Sequence, residues 1–88
     1  MAILSKEVIY TVKIPYAQSK GTLTAEVKLS HAADVFLVNE SNFRKYQSGQ
    51  SFEYYGDHYK KTPVRITVSG IGRWYLIVNG SNYQYRFI

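Results

Sequence analysis

From Val8 onward the apolar side chains fall on alternate positions, Val8, Tyr10, Val12, Ile14 and Tyr16, which places all five on one face of an extended strand. The same alternation recurs in Leu23, Ala25, Val27 and Leu29, with Thr24, Glu26 and Lys28 facing the other way, the pattern of a half-buried antiparallel strand. Further strands are predicted at Asp34 to Val38, Ser51 to Tyr55, Pro63 to Val68, Arg73 to Val78 and Tyr83 to Phe87. Turn residues separate them: AQSKG before the second strand, SGIG at 69–72 and NGSN at 79–82. About seven short strands predict an all-β, compact antiparallel sandwich, with a small five-stranded barrel as the architectural alternative.

One phrase occurs twice, VNESNF at 38–43 and VNGSNY at 78–83. In the second copy Asn79-Gly80 sits between two alternating strands and predicts a tight hairpin, both residues accepting positive φ. In the first, the following FRKYQSG carries no strand pattern. A short helix is predicted over Ser41 to Ser48, with Ser41 as its cap and Gly49 at its left-handed end. The repeat therefore reads as two different turns that share Asn and Ser, residues that hydrogen-bond their own backbone at strand ends.

Eighty-eight residues predict a single domain, and 45% hydrophobic against 19% charged residues describes a folded chain. With no cysteine there is no disulfide, thiolate nucleophile or Cys-based metal site. The amino terminus MAILSKEVIY is too short in apolar residues for a signal sequence, and no run is long enough to span a membrane, so a cytoplasmic location is expected. A net charge of +5 admits an anionic partner without demanding one.

Chemistry is sparse. His31 and Asp34 flank a turn, and the adjacent Asp57 and His58 point to opposite faces of an extended segment, so neither pair makes a triad. The two histidines stand 27 positions apart, which offers no metal-ligand spacing. Gly70-Ile71-Gly72 precedes a strand, so it reads as a hairpin turn and not as a phosphate loop. No enzymatic activity, cofactor or metal is predicted.

Two surfaces remain as candidates. Tyr55, Asp57, His58 and Tyr59, in the aromatic stretch FEYYGDHYKK, predict a partner-binding loop that projects from Gly56, with Lys60 and Lys61 as a polar rim. Arg73, Tyr75 and Arg86 predict an anion-binding face, on the expectation that the last two strands form a hairpin and share a surface with Ile77. The expected function is a binding module for a protein partner or for self-association through a strand edge, with nucleic acid or a phosphorylated nucleotide as the alternative ligand.

The segments SNFRKYQSG, YYGDHYKKTPVRI and GRWYLIV also resemble a family of small bacterial domains of unknown function. The resemblance rests on Asn42-Phe43, Tyr46, Gly49, Tyr55-Gly56, Pro63-Val64 and Gly72-x-Trp74, and covers roughly residues 20 to 80. Members occur alone or fused to Toll/interleukin-receptor-like domains, which implies a small β-sandwich with an accessory or partner-binding role. This chain departs from the pattern at Asp57, where a second Gly is usual, at Thr62 in place of Ser, and in NGSN, which replaces a Gly-rich end.

Overall fold

The computed structural model describes residues 14–80 and 82–88. The expected strand at Val8 to Tyr16 lies outside the described residues except for its last three positions. Five strands and one helix follow: β1 (Tyr16–Leu29), β2 (Ala33–Asn39), α1 (Glu40–Gln47), β3 (Tyr55–Tyr59), β4 (Val64–Asn79) and β5 (Tyr83–Phe87). All pairings are antiparallel, in one sheet of order β3-β2-β4-β1-β5. The fold is all-β, and the sheet does not close into a barrel, so β3 and β5 are its two edges among the described residues.

Among the described residues, expected strands merge because two expected turns are not turns. AQSKG runs inside β1 and SGIG inside β4, and the two lie opposite each other in one continuous ladder, with Ser19 facing Gly72, Lys20 facing Ile71 and Gly21 facing Gly70. Gly70 and Gly72 hold φ of 132° and 136°, values closed to other residues, so the glycines bend a long strand where a hairpin was predicted. At the bend, the Trp74 indole N–H donates to the Gly70 carbonyl at 3.4 Å.

The bend decides where the core lies. Leu23, Ala25 and Val27 of β1 and Val64, Ile66 and Val68 of β4 are buried beyond the bend. Val35 and Leu37 of β2 and Trp74 and Leu76 of β4 are buried on the same face before it, and all ten form one cluster. The helix packs on the opposite face, so an open flat sheet would leave this cluster in water. The sheet must therefore fold across β1 and β4 so that its halves cover each other, a sandwich built from a single sheet.

On the other face, α1 covers Phe36, Val38 and Ile77 through Phe43. Ile77 was expected on the outward surface with Arg73 and Tyr75, and the helix buries it. The helix starts one residue earlier than expected because Asn39, not Ser41, is its cap: the Asn39 side chain accepts the Asn42 N–H at 2.9 Å, while the Ser41 hydroxyl donates to Asn39 Oδ1 at 3.2 Å. Gly49, at φ 78°, ends it in the left-handed conformation predicted for it.

The repeated phrase thus serves a helix cap in one copy and a strand end in the other. The second copy does not form the predicted hairpin, because β5 pairs with β1 (Ala25 facing Phe87, Leu29 facing Tyr83) and not with β4. Positive φ falls on Asn82 (59°) and not on Gly80, whose missing side chain instead lets Ala33 approach; a Cβ there would meet the Ala33 Cβ at 2.9 Å. The strand expected at Ser51 to Tyr55 is irregular, and β3 begins where it was to end.

Candidate functional site

A recess able to take a ligand lies beside edge strand β3. The β2–β3 register sets Asp34 opposite His58 and Phe36 opposite Gly56. Alternation puts Asp34 and Phe36 on the helix side of the sheet, where Tyr46 arrives from α1 and Phe52 and Tyr54 from the segment joining α1 to β3. That segment is tied to the helix by the Glu53 N–H, which donates to Asn42 Oδ1 at 3.0 Å.

The four rings form a connected cluster. Phe36 lies 5.2 Å from Tyr54, 6.0 Å from Phe52 and 6.2 Å from Tyr46, and Phe52 meets Tyr46 edge to face at 5.3 Å. Phe36 is buried and Tyr54 is 54% exposed, so the cluster grades from core into surface. A groove of about 380 Å³ runs over it, rimmed by Asp34, Asp57, His58 and Asn79. His58 Nδ1 and Asp34 Oδ1 are 2.8 Å apart, and the His58 N–H donates to Asp57 Oδ1, also at 2.8 Å. A floor of aromatic faces with a few polar groups at the rim suits recognition of an amphipathic side chain.

The predicted partner-binding residues separate. Asp57 and His58 line this groove. Tyr55 faces the other side of the sheet, edge to face with Trp74 at 5.8 Å, and is 56% exposed beside Arg44, Arg73 and the Gly70–Gly72 bend. Tyr59 packs partly buried against the main core. The segment is an edge strand and not a projecting loop, and Gly56 serves close approach: a Cβ there would overlap the Val35 carbonyl oxygen and lie 2.6 Å from Phe36 Cα. Phe36, Tyr46, Phe52, Tyr54 and Asp34 were not predicted as site residues. Nothing local in the sequence shows that the α1–β3 segment doubles back over Phe36.

The predicted anion-binding set divides, because its premise, a β4–β5 hairpin, is absent: Arg73 and Tyr75 stay together and Arg86 lies elsewhere. Arg86 stands across from Glu26 on β1, which stands across from Arg65 on β4. Arg86 Nε donates to Glu26 Oε1 at 2.6 Å, and Arg65 Nε donates to Oε2 at 2.8 Å, with Arg65 Nη2 2.7 Å from the same oxygen. The Arg86 and Arg65 guanidiniums hold the Glu26 carboxyl below its ordinary range. Arg73 lies on the opposite side of the bend from these residues, over the Tyr16 ring at 4.9 Å and with Nη1 donating to the Tyr75 hydroxyl at 3.4 Å. One face of Tyr75 is taken by Phe43, parallel to it at 3.9 Å, which leaves less of the ring to stack on a base.

Among the described residues no group of three or more His, Asp or Glu side chains converges as a metal site, and no helix is long and apolar enough to cross a membrane. His58 and Asp34 have the geometry of an oriented imidazole, but among the described residues no hydroxyl is hydrogen-bonded to the ring's other nitrogen.

The model of a family described as a domain of unknown function, DUF1883, matches residues 16–85, and the chain belongs to that family. The match runs from the first residue of β1 into β5 and so takes in the whole groove. No curated protein and no solved structure matches.

Proposed function

We propose that this domain is a non-enzymatic interaction module whose contact surface is the groove at the β3 edge, and that its partner is a protein. The observation that carries this reading is the aromatic cluster Phe36–Tyr46–Phe52–Tyr54, which reaches the surface beside an edge strand and under a polar rim. Tyrosine and phenylalanine at such a place give large apolar contact for little lost rotamer freedom. The resemblance to bacterial domains found fused to signalling modules agrees with an accessory role. A bacterial cytoplasmic setting is part of the proposal, since a cysteine-free fold needs no oxidising compartment.

Affinity capture with the purified domain, with and without nuclease, tests it. A protein retained after nuclease treatment and lost with Tyr54→Ser supports the reading. Capture that nuclease abolishes, or that Tyr54→Ser leaves untouched, overturns it in favour of nucleic acid or of another face.

A further inference from the structure

The two carboxylates at the groove differ from those paired with arginine elsewhere in the sheet and helix. On a protein of net charge +5, Glu26 is held between two arginines and Glu40 lies 3.5 Å from Arg44. Asp34 and Asp57 at the groove have no arginine or lysine partner among the described residues. Each uses Oδ1 internally, Asp34 toward His58 Nδ1 and Asp57 toward the His58 N–H, and no hydrogen bond among the described residues occupies either Oδ2. Carboxylate oxygens beside the exposed face of Tyr54 complement a cation, which an aromatic face also attracts.

Among the described residues no further strand pairs with β3, one of whose N–H groups, that of His58, is taken by Asp57 Oδ1. β3 is the sheet's edge, and its sequence YGDHY contains neither proline nor lysine, the residues that commonly blunt an edge. On the helix side its alternate positions are Gly56 and His58, so a strand added to β3 would set side chains next to Gly56, where no side chain stands between them and the groove. A second copy fits badly. Two-fold antiparallel pairing centred on β3 would put Asp57 opposite Asp57, and each copy brings a charge of +5.

Resting on the interaction reading above, we infer that the partner is an extended polypeptide segment that pairs as an additional strand with the free edge of β3 and places a lysine or arginine side chain in the groove, over Tyr54 and toward Asp34 and Asp57. The backbone pairing supplies affinity, and the acidic, aromatic groove supplies the preference for a cation.

The test is titration of the ¹⁵N-labelled domain with acetyl-Val-Lys-Val-Lys-Val-amide, its Gln and Glu counterparts, and the Lys peptide with its central valine N-methylated. The Lys peptide should shift the amides of 55–59 and the ring signals of Tyr54. Its affinity should exceed that of the Glu peptide, fall about threefold in Asp57→Asn, as for loss of one exposed ion pair, and drop on N-methylation. Equal shifts at 55–59 from the Gln or Glu peptides would overturn the cation preference while leaving the groove as the contact surface. Shifts unaffected by N-methylation would overturn the strand pairing. No shift at these residues with any peptide would overturn both this inference and the reading beneath it.

Discussion

Gly56 on β3 lies directly across from Phe36 on β2, so close that a Cβ on Gly56 would sit 2.6 Å from both the Cα and the Cβ of Phe36. The edge strand and the floor of the groove are therefore one packed unit, and the glycine is a condition of that packing. Since backbone and not a flexible side-chain tip obstructs the new methyl, Gly56→Ala should destabilise the domain by about 1–3 kcal/mol. Urea unfolding of the two proteins checks this.

Tyr54, Tyr55 and Tyr59 are neighbours in sequence with different environments. Tyr59 packs against the main core, whereas Tyr54 and Tyr55 are more than half exposed. Tyr59→Ala should cost about 1–3 kcal/mol, while Tyr54→Ser should change stability by less than about 1 kcal/mol. Thermal melts of both variants decide between this ordering and a loop in which all three are dispensable.

Trp74 is only 5% exposed and closes the inside of the bend, its indole N–H on the Gly70 carbonyl. Trp74→Ala should lose roughly 3–5 kcal/mol, the usual cost of emptying a large aromatic position. The measurement is the denaturation midpoint, read by tyrosine fluorescence or circular dichroism because the only tryptophan is gone.

Acid should act through Glu26. Its folded pKa is lowered from the ordinary 4.5 by hydrogen bonds from Arg86 and then Arg65, so its stabilising effect is complete above the unfolded value and disappears as the pH falls through the folded one. Protonation also leaves Arg65 and Arg86 without the charge between them. In Glu26→Gln the melting temperature should be lower at neutral pH, and the difference from the wild type should narrow as the pH drops from about 6 to about 3. A constant difference across that range would remove Glu26 from the acid response.

Much of this architecture is written in local sequence. Alternation places Leu23, Ala25, Val27, Val64, Ile66 and Val68 on the core side, and Gly49 marks the helix end. Strand continuity is not written there, because Gly70 and Gly72 carry the same signal whether they close a hairpin or bend a strand, and only the partner residues Gly21 and Ser19 distinguish the two. The neighbour of β5 is likewise a matter of topology: moving it from β4 to β1 takes Arg86 from Arg73 to Glu26. Within the groove, Asp57 and His58 were legible as exposed polar groups beside aromatics. Phe36, Tyr46 and Phe52 were not, because their meeting depends on a helix and a connecting segment returning over β2.

The most direct test of the β3 edge as the contact surface is paramagnetic broadening of the ¹⁵N-labelled domain by the Lys peptide carrying a nitroxide at one end. Binding in the groove should broaden the amides of 55–59 and the signals of Asp34 and Tyr54, and leave Arg65, Thr67 and Arg86 on the far half of the sheet sharp. Broadening centred on Arg65 and Arg86, or spread evenly over the domain, would contradict the account.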